Sequence, residues 1–321
     1  MESVSVAAPA TSRRRRFWQR LSFEETFFGW LFLVPVIIGL IFFQLGPVLV
    51  SLGLSFTRYN IIGSPRWIGV ANYNRLFKDD LWMRLIEVTV EYVVLFVPAS
   101  MIAAYFIALL MSNDVKGIGI WRTIWYLPSI VPAVASAVIW KWGLHPEFGP
   151  VNYPLKLLGL PAPRWLTDPD WIIPSIVLIS VWGLGNAVLI FLAAIKGVPT
   201  TFYEAAEVDG ANILAKFRHI TLPLTSSIIF FQLITTIIGS FQVFGVAYVL
   251  FVSNPSASSA GPDNAALFYV LYMFRNAFGY FKNGYASAMA WLLFLAIMAL
   301  TAILFYSQRR WVYYETGGDA A

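Results

Sequence analysis

Cysteine is absent from all 321 residues, which excludes disulfides, thiolate chemistry and cysteine-based metal sites. Only two histidines occur, His145 and His219, far apart in the chain, so no metal site is expected. No G-x-x-x-x-G-K-S/T phosphate loop is present, so no nucleotide site of that kind is assigned to this chain. No Ser-His-Asp or paired-carboxylate constellation falls on one face, and no catalytic residue is assigned. Charge is scarce too, at 12% of residues against 59% hydrophobic, roughly half the charged fraction of a soluble domain. A soluble globule of this length could not cover such a core. What remains is an all-α polytopic membrane protein, because backbone groups in lipid must be satisfied within the segment. The net charge of +5 does not indicate nucleic acid.

Six runs are long and apolar enough to cross a hydrocarbon core of about 30 Å: residues 26–50, 85–111, 119–142, 171–194, 224–252 and 285–307. The first is too long for a cleavable signal and no A-x-A-like site follows it, so it reads as an anchor. Arg13 to Arg16 and Arg20 precede it and Arg309-Arg310 end the last run, which places both termini in the cytoplasm. The expected organisation is a cytoplasmic tail over 1–25, a six-helix membrane domain over 26–307, and a cytoplasmic tail over 308–321. Pro35, Pro98, Pro128, Pro132 and Pro174 fall inside the runs and predict kinks. The outer connections are rich in Trp and Tyr, as interfacial belts are.

One polar island interrupts this pattern, residues 200–223, between the fourth and fifth runs. Thr201-x-x-Glu204 is a capping-box pattern. Gly210 suits the left-handed residue that ends a short helix. A second short helix is expected over about 213–219, and Leu222-Pro223 suits the first turn of the fifth span. Ala205 and Ala206 leave room for another surface to approach, and Tyr203, Glu207 and Asp209 stand beside them. From the residues alone, the island is either a capped connector or a docking helix.

The pattern Glu204-Ala205-Ala206, three residues, Gly210, nine residues, Ile220-x-Leu222-Pro223 resembles the EAA motif of permease subunits of ABC importers. Trp67 to Tyr73, Arg122 to Pro128, Glu204 to Ala211 and Gly284 to Ala288 are similar to the carbohydrate-uptake branch, in its minimal six-span version. One departure is Ala260-Gly261-Pro262 where the family often has Gly-Gly-Pro. The resemblance implies a type I ABC importer permease fold. It also implies a second permease subunit, an ATPase dimer that binds the ATP and magnesium, and an extracytoplasmic solute-binding protein. No cofactor is implied in this chain itself. The island would be the coupling helix, with Glu204 as its ionic anchor to the ATPase and Gly210 allowing its turn.

Polar residues within the runs are the candidates for a solute cavity, because burying them in lipid is unfavourable. These are Asn186, Gln232, Ser240 and Gln242, with Trp182, Phe241 and Phe244 beside them as flat apolar faces for a sugar ring. The same residues serve equally as interhelical hydrogen-bonding glue. Glu87 and Glu91 lie one turn apart near the outer end of the second run and read as a water-facing helix end. Solutes other than sugar, such as glycerol phosphodiesters, stay open, as does a membrane scaffold that transports nothing.

Overall fold

The structure, a computed structural model, describes residues 23–113, 116–252 and 259–313. Arg13 to Arg16, Arg20 and the chain after Tyr313 lie outside the described residues. The chain divides into two units, Met1–Gly53 and Leu54–Ala321.

In the first unit, α1 (Phe23–Gly39) passes through a π-helical turn over Leu40–Leu45 into α2 (Gly46–Ser55), whose last two residues belong to the second. Its large side chains are exposed on every side, Phe32 and Phe43 among them, as expected of a helix whose solvent is hydrocarbon.

The second unit begins with a two-residue antiparallel pair, β1 (Thr57–Arg58) and β2 (Arg66–Trp67), followed by α3 (Ala71–Phe77). The long α4 (Trp82–Ser112) takes Pro98 into its interior without interruption. Then come α5 (Ile118–Ile130) and α6 (Ala133–Gly143), the short α7 (Asn152–Leu157), α8 (Pro169–Trp182) and α9 (Gly185–Lys196). The polar island supplies α10 (Thr200–Val208), α11 (Ile213–Lys216) and α12 (Leu222–Leu224). α13 (Ser226–Ser240), α14 (Gly245–Phe251), α15 (Tyr269–Phe274) and α16 (Asn283–Gln308) complete it.

Among the described residues four helices are long and apolar enough to span a membrane, or up to six spans if each of two bent pairs is one. The bent pairs correct the expectation of simple kinks at the prolines. Between α5 and α6 the chain turns by 103° at Val131-Pro132. Proline drives the residue before it out of the helical region, and Val131 is extended, with φ −68° and ψ 125°. The fourth span instead breaks at Gly183 to Gly185, bent by 54°, while Pro174 stays inside α8. Asp168 caps α8 by accepting from the Asp170 amide at 3.2 Å, with Pro169 in the first turn.

Two cores hold this unit together. At one end of α4, Leu85, Val88 and Tyr92 pack on Ile172 and Ile176 of α8 and on Leu267, Phe268 and Leu271. At its other end Ala104 and Ala108, both fully buried, let α9 approach through Val188, Phe191 and Leu192. Small residues at such a crossing are how membrane helices pack closely.

Candidate functional site

α10 does not start as the capping-box pattern predicts. Pro199, at φ −59° and ψ 133°, is the N-cap; Thr200 and Thr201 are already helical, and no side chain caps this end. Proline fixes its own φ and sets the entry by itself, so the Thr201 hydroxyl has no capping task. The other end matches its sequence. Gly210 is left-handed at φ 76°, its amide donates to Glu207 O at 3.0 Å, and Ala211 N donates to Ala206 O at 2.8 Å. That pair of bonds is the Schellman arrangement.

The chain then reverses. Asn212 caps α11, its Oδ1 accepting from the Ala215 amide at 2.8 Å, and Lys216 folds back onto Glu207 at 2.5 Å. The expected separate helix over 213–219 does not stop there. It widens into a π-helical stretch over Phe217–Thr221, closed by the Leu222 amide donating to Phe217 O, and continues into α12. Pro223 has no amide hydrogen to continue an α-helical ladder, which suits a π turn immediately before it. A break at Thr225 precedes α13, so Pro223 lies just before the fifth span, not in its first turn.

Hydrogen bonds tie this hairpin to the span below it. The Tyr203 hydroxyl lies 2.9 Å from Thr221 Oγ1. One turn on, Thr225 Oγ1 donates to Thr221 O at 2.7 Å and meets the hydroxyl of Tyr105, on α4, at 2.8 Å. Thr221 and Thr225 are buried, so these groups satisfy one another away from water.

The outward face is mixed. Glu204, Ala205, Glu207, Asp209 and Gly210 are exposed, while Tyr203, Ala206, Ile220 and Pro223 are partly covered. Glu207 is taken by Lys216, whereas Glu204 and Asp209 make no ion pair among the described residues. Beside them stand three aliphatic side chains that the sequence reasoning missed: Val208, 90% exposed, Ile213, 87%, and Leu214, 71%. Leu222 is also exposed. Aliphatic residues in an otherwise polar island were the signal for them.

The five proposed cavity residues are not brought to one place. Trp182 ends α8, its ring edge-on to Trp140 at 5.8 Å. Asn186 is exposed in the first turn of α9. It follows Gly185, where a Cβ would come within 2.8 Å of Ser129 Oγ and 2.9 Å of Trp125 O; only glycine lets α5 and α9 meet so closely. Gln232 is half-buried on α13. Ser240 is buried and donates to Ile237 O of its own helix at 2.7 Å; local bonding of this kind is the habit of serine in a helix. Gln242 opens on a cavity of about 760 Å³ between α13, α15 and α16 that takes in none of the other four, its walls mostly apolar side chains such as Met273, Leu293 and Phe294. Phe244 is engaged by Tyr248 and Phe274.

At the opposite end of α4 is a cluster that the sequence did not reveal. Asp79 Oδ2 accepts from the hydroxyls of Tyr272 and Tyr285 at 2.8 and 2.9 Å, and its Oδ1 accepts from the Leu81 amide at 3.0 Å. Burial, then the hydrogen bond to Asp79, push the Tyr272 hydroxyl up to about 12. Arg275, 1% exposed, donates to Ser259 O at 2.7 Å, and burial lowers the proton affinity of its guanidinium. As for the acids of the second run, Glu87 pairs with Arg84 at 3.0 Å on an exposed face.

Residues 68–312 match the family described as "Binding-protein-dependent transport system inner membrane component". The probable ABC transporter permease protein YesP of Bacillus subtilis is 39% identical over 296 residues, covering 91% of this chain and 94% of that one. The lactose transport system permease protein LacF of Rhizobium radiobacter is 30% identical, covering 88% and 94%. Among solved structures, a chain of a bacterial alginate ABC transporter in complex with an alginate pentasaccharide-bound periplasmic protein superposes with a TM-score of 0.78, at 23% identity, over 89% of this chain and 96% of that one.

Proposed function

The chain belongs to the family of binding-protein-dependent transport system inner membrane components, and on that premise we propose that it is the permease subunit of an ATP-driven ABC importer for a sugar or oligosaccharide. The observation that carries this is the α10–α12 hairpin, which presents Val208, Ile213 and Leu214 to the exterior beside the carboxylates of Glu204 and Asp209, which make no ion pair among the described residues. Exposed aliphatic side chains ringed by charge are what a protein partner covers. The partner is the ATPase dimer, which binds the ATP and magnesium on the cytoplasmic side, where both termini also lie. Glu204 is the ionic anchor.

Motion of the ATPase enters the membrane domain through Tyr203 and Thr221, then Thr225 and Tyr105. To drive transport the hairpin must make different contacts in two states, since equal binding in both would shift nothing. The break in the fourth span leaves Asn186 on an exposed face, which a second permease subunit would close into a shared conduit; Trp182, Gln232 and Gln242 are the further candidates. An extracytoplasmic solute-binding protein delivers the solute. Sugar as the solute is supported by the lactose permease among the relatives.

The test is reconstitution with the ATPase, the second permease and the binding protein in proteoliposomes. Sugar uptake should require ATP, and sugar-loaded binding protein should stimulate ATP hydrolysis. Glu204→Ala should lose that stimulation. Uptake without ATP sinks the proposal, and full transport with Glu204→Ala and Gly210→Val combined sinks the coupling role.

A further inference from the structure

A cavity of about 370 Å³ lies between β1, α3 and the first turn of α16, at the end of α4 away from the α10–α12 hairpin. α4 fixes these two ends: Trp82, in its first turn, packs on Tyr269, whereas Met101 to Leu109 face Phe217 and Leu222. Arg58, Arg75 and Lys282 all stand in the cavity wall, and no carboxylate does. None of the three takes part in an ion pair among the described residues. Arg75 lies over the Tyr285 ring at 5.3 Å and Lys282 over the Tyr280 ring at 5.1 Å. The nearby Asp79 carboxylate is occupied by Tyr272 and Tyr285. Three cations gathered around one opening whose wall holds no carboxylate make a site for an anion.

The rim identifies which anion. Ile62 is 90% exposed and Trp67 72%, with Ile61 and Phe281 also exposed. Ile61 and Phe281 hold positive φ, 64° and 52°, a conformation unfavourable for any residue with a Cβ and most of all for a branched one. Such strain persists where surroundings impose it and clusters at ligand sites. Isoleucine, tryptophan and phenylalanine turned outward near a basic opening, on the connections before α3 and before α16, suit the boundary between headgroups and acyl chains.

We propose that this pocket seats the phosphate of an anionic phospholipid, with Arg58 and Lys282 as the contacting cations and Ile61, Ile62, Trp67 and Phe281 against the acyl region. The test is native mass spectrometry of the assembled transporter in detergent with added phosphatidylglycerol, phosphatidylcholine or inorganic phosphate. Wild type should retain phosphatidylglycerol in preference to phosphatidylcholine. R58Q/K282Q should bind it about 25-fold more weakly, about fivefold for each cation, and R58K/K282R should bind it as wild type does. Should R58Q/K282Q fail to assemble, R58Q and K282Q singly carry the same test at about fivefold each. Undiminished phosphatidylglycerol binding by the R58Q/K282Q protein overturns the proposal. So does displacement of the lipid by millimolar inorganic phosphate, which marks a free-anion site. Loss of solute-binding-protein association with lipid binding unchanged would assign the pocket to that partner instead.

Discussion

Tyr203 and Thr221, separated by 18 positions in sequence, meet hydroxyl to hydroxyl at 2.9 Å, and this bond joins the two arms of the hairpin. Thr221 is 5% exposed, so a lost partner is not replaced readily by water. Tyr203→Phe should therefore lower stability by about 1 kcal/mol, the usual net value of such a bond. If the pair carries motion inward, the variant should also bind the ATPase normally while substrate-stimulated ATP hydrolysis falls severalfold. Normal stimulation in a demonstrably folded Tyr203→Phe protein would remove Tyr203 from the coupling path.

Gly210 tests the turn itself. A Cβ there would meet nothing within 4 Å, so any penalty comes from the backbone at φ 76°. Gly210→Ala should cost about 1–2 kcal/mol, and Gly210→Asn, which tolerates this region, should cost less. Thermal unfolding of the purified complex would rank the two. Equal stability of both with wild type would mean that the turn relaxes to another shape.

Val208 and Leu214 separate docking from folding. Being largely exposed, they contribute little to the fold, and Val208→Ser with Leu214→Ser should change stability by no more than about 0.5 kcal/mol each. Co-purification of the ATPase should nevertheless drop. Retention of the full ATPase complement would show that the partner covers some other surface.

Much of this hairpin was legible in sequence, and the unread parts have definite causes. Gly210 announced a left-handed turn because few residues adopt one, and the six apolar runs announced the spans. Thr201 misled because a capping pattern cannot reveal that a proline two residues earlier already fixes the entry. The break in the fourth span was missed because Pro174, a visible breaker, is absorbed within α8, whereas Gly185 acts through the close approach of α5. Ser240 looked available to a solute, yet its hydroxyl is bonded within its own helix. Contacts between residues distant in sequence, such as Asp79 with Tyr272 and Tyr285, have no local signature at all.

Gly284 opens α16 against β1. A Cβ there would stand 2.1 Å from Thr57 O, and its amide donates to Tyr59 O at 3.1 Å. Since backbone must move to admit even a methyl group, Gly284→Ala should destabilise by about 1–3 kcal/mol. Lower yield and a lower Tm in detergent are the expected readouts. A wild-type Tm would mean that the start of α16 shifts freely.

Asp79 makes the other end of the molecule sensitive to alkaline pH. With the Tyr272 hydroxyl raised from 10.0 to about 12, the folded protein keeps a proton that the unfolded chain has already released at pH 11. The stabilisation is therefore fully present below pH 10 and is lost as pH rises towards 12. Burial is the larger cause and the Asp79 carboxylate the next, so Asp79→Asn should narrow this window without closing it, by removing the negative charge that opposes tyrosinate. The same substitution weakens two hydroxyl contacts and should cost about 1–3 kcal/mol near neutrality. Tm measured from pH 8 to pH 11.5 on both proteins gives both answers. The wild-type curve should fall more steeply above pH 10, and parallel curves would show that Asp79 does not govern the titration of Tyr272.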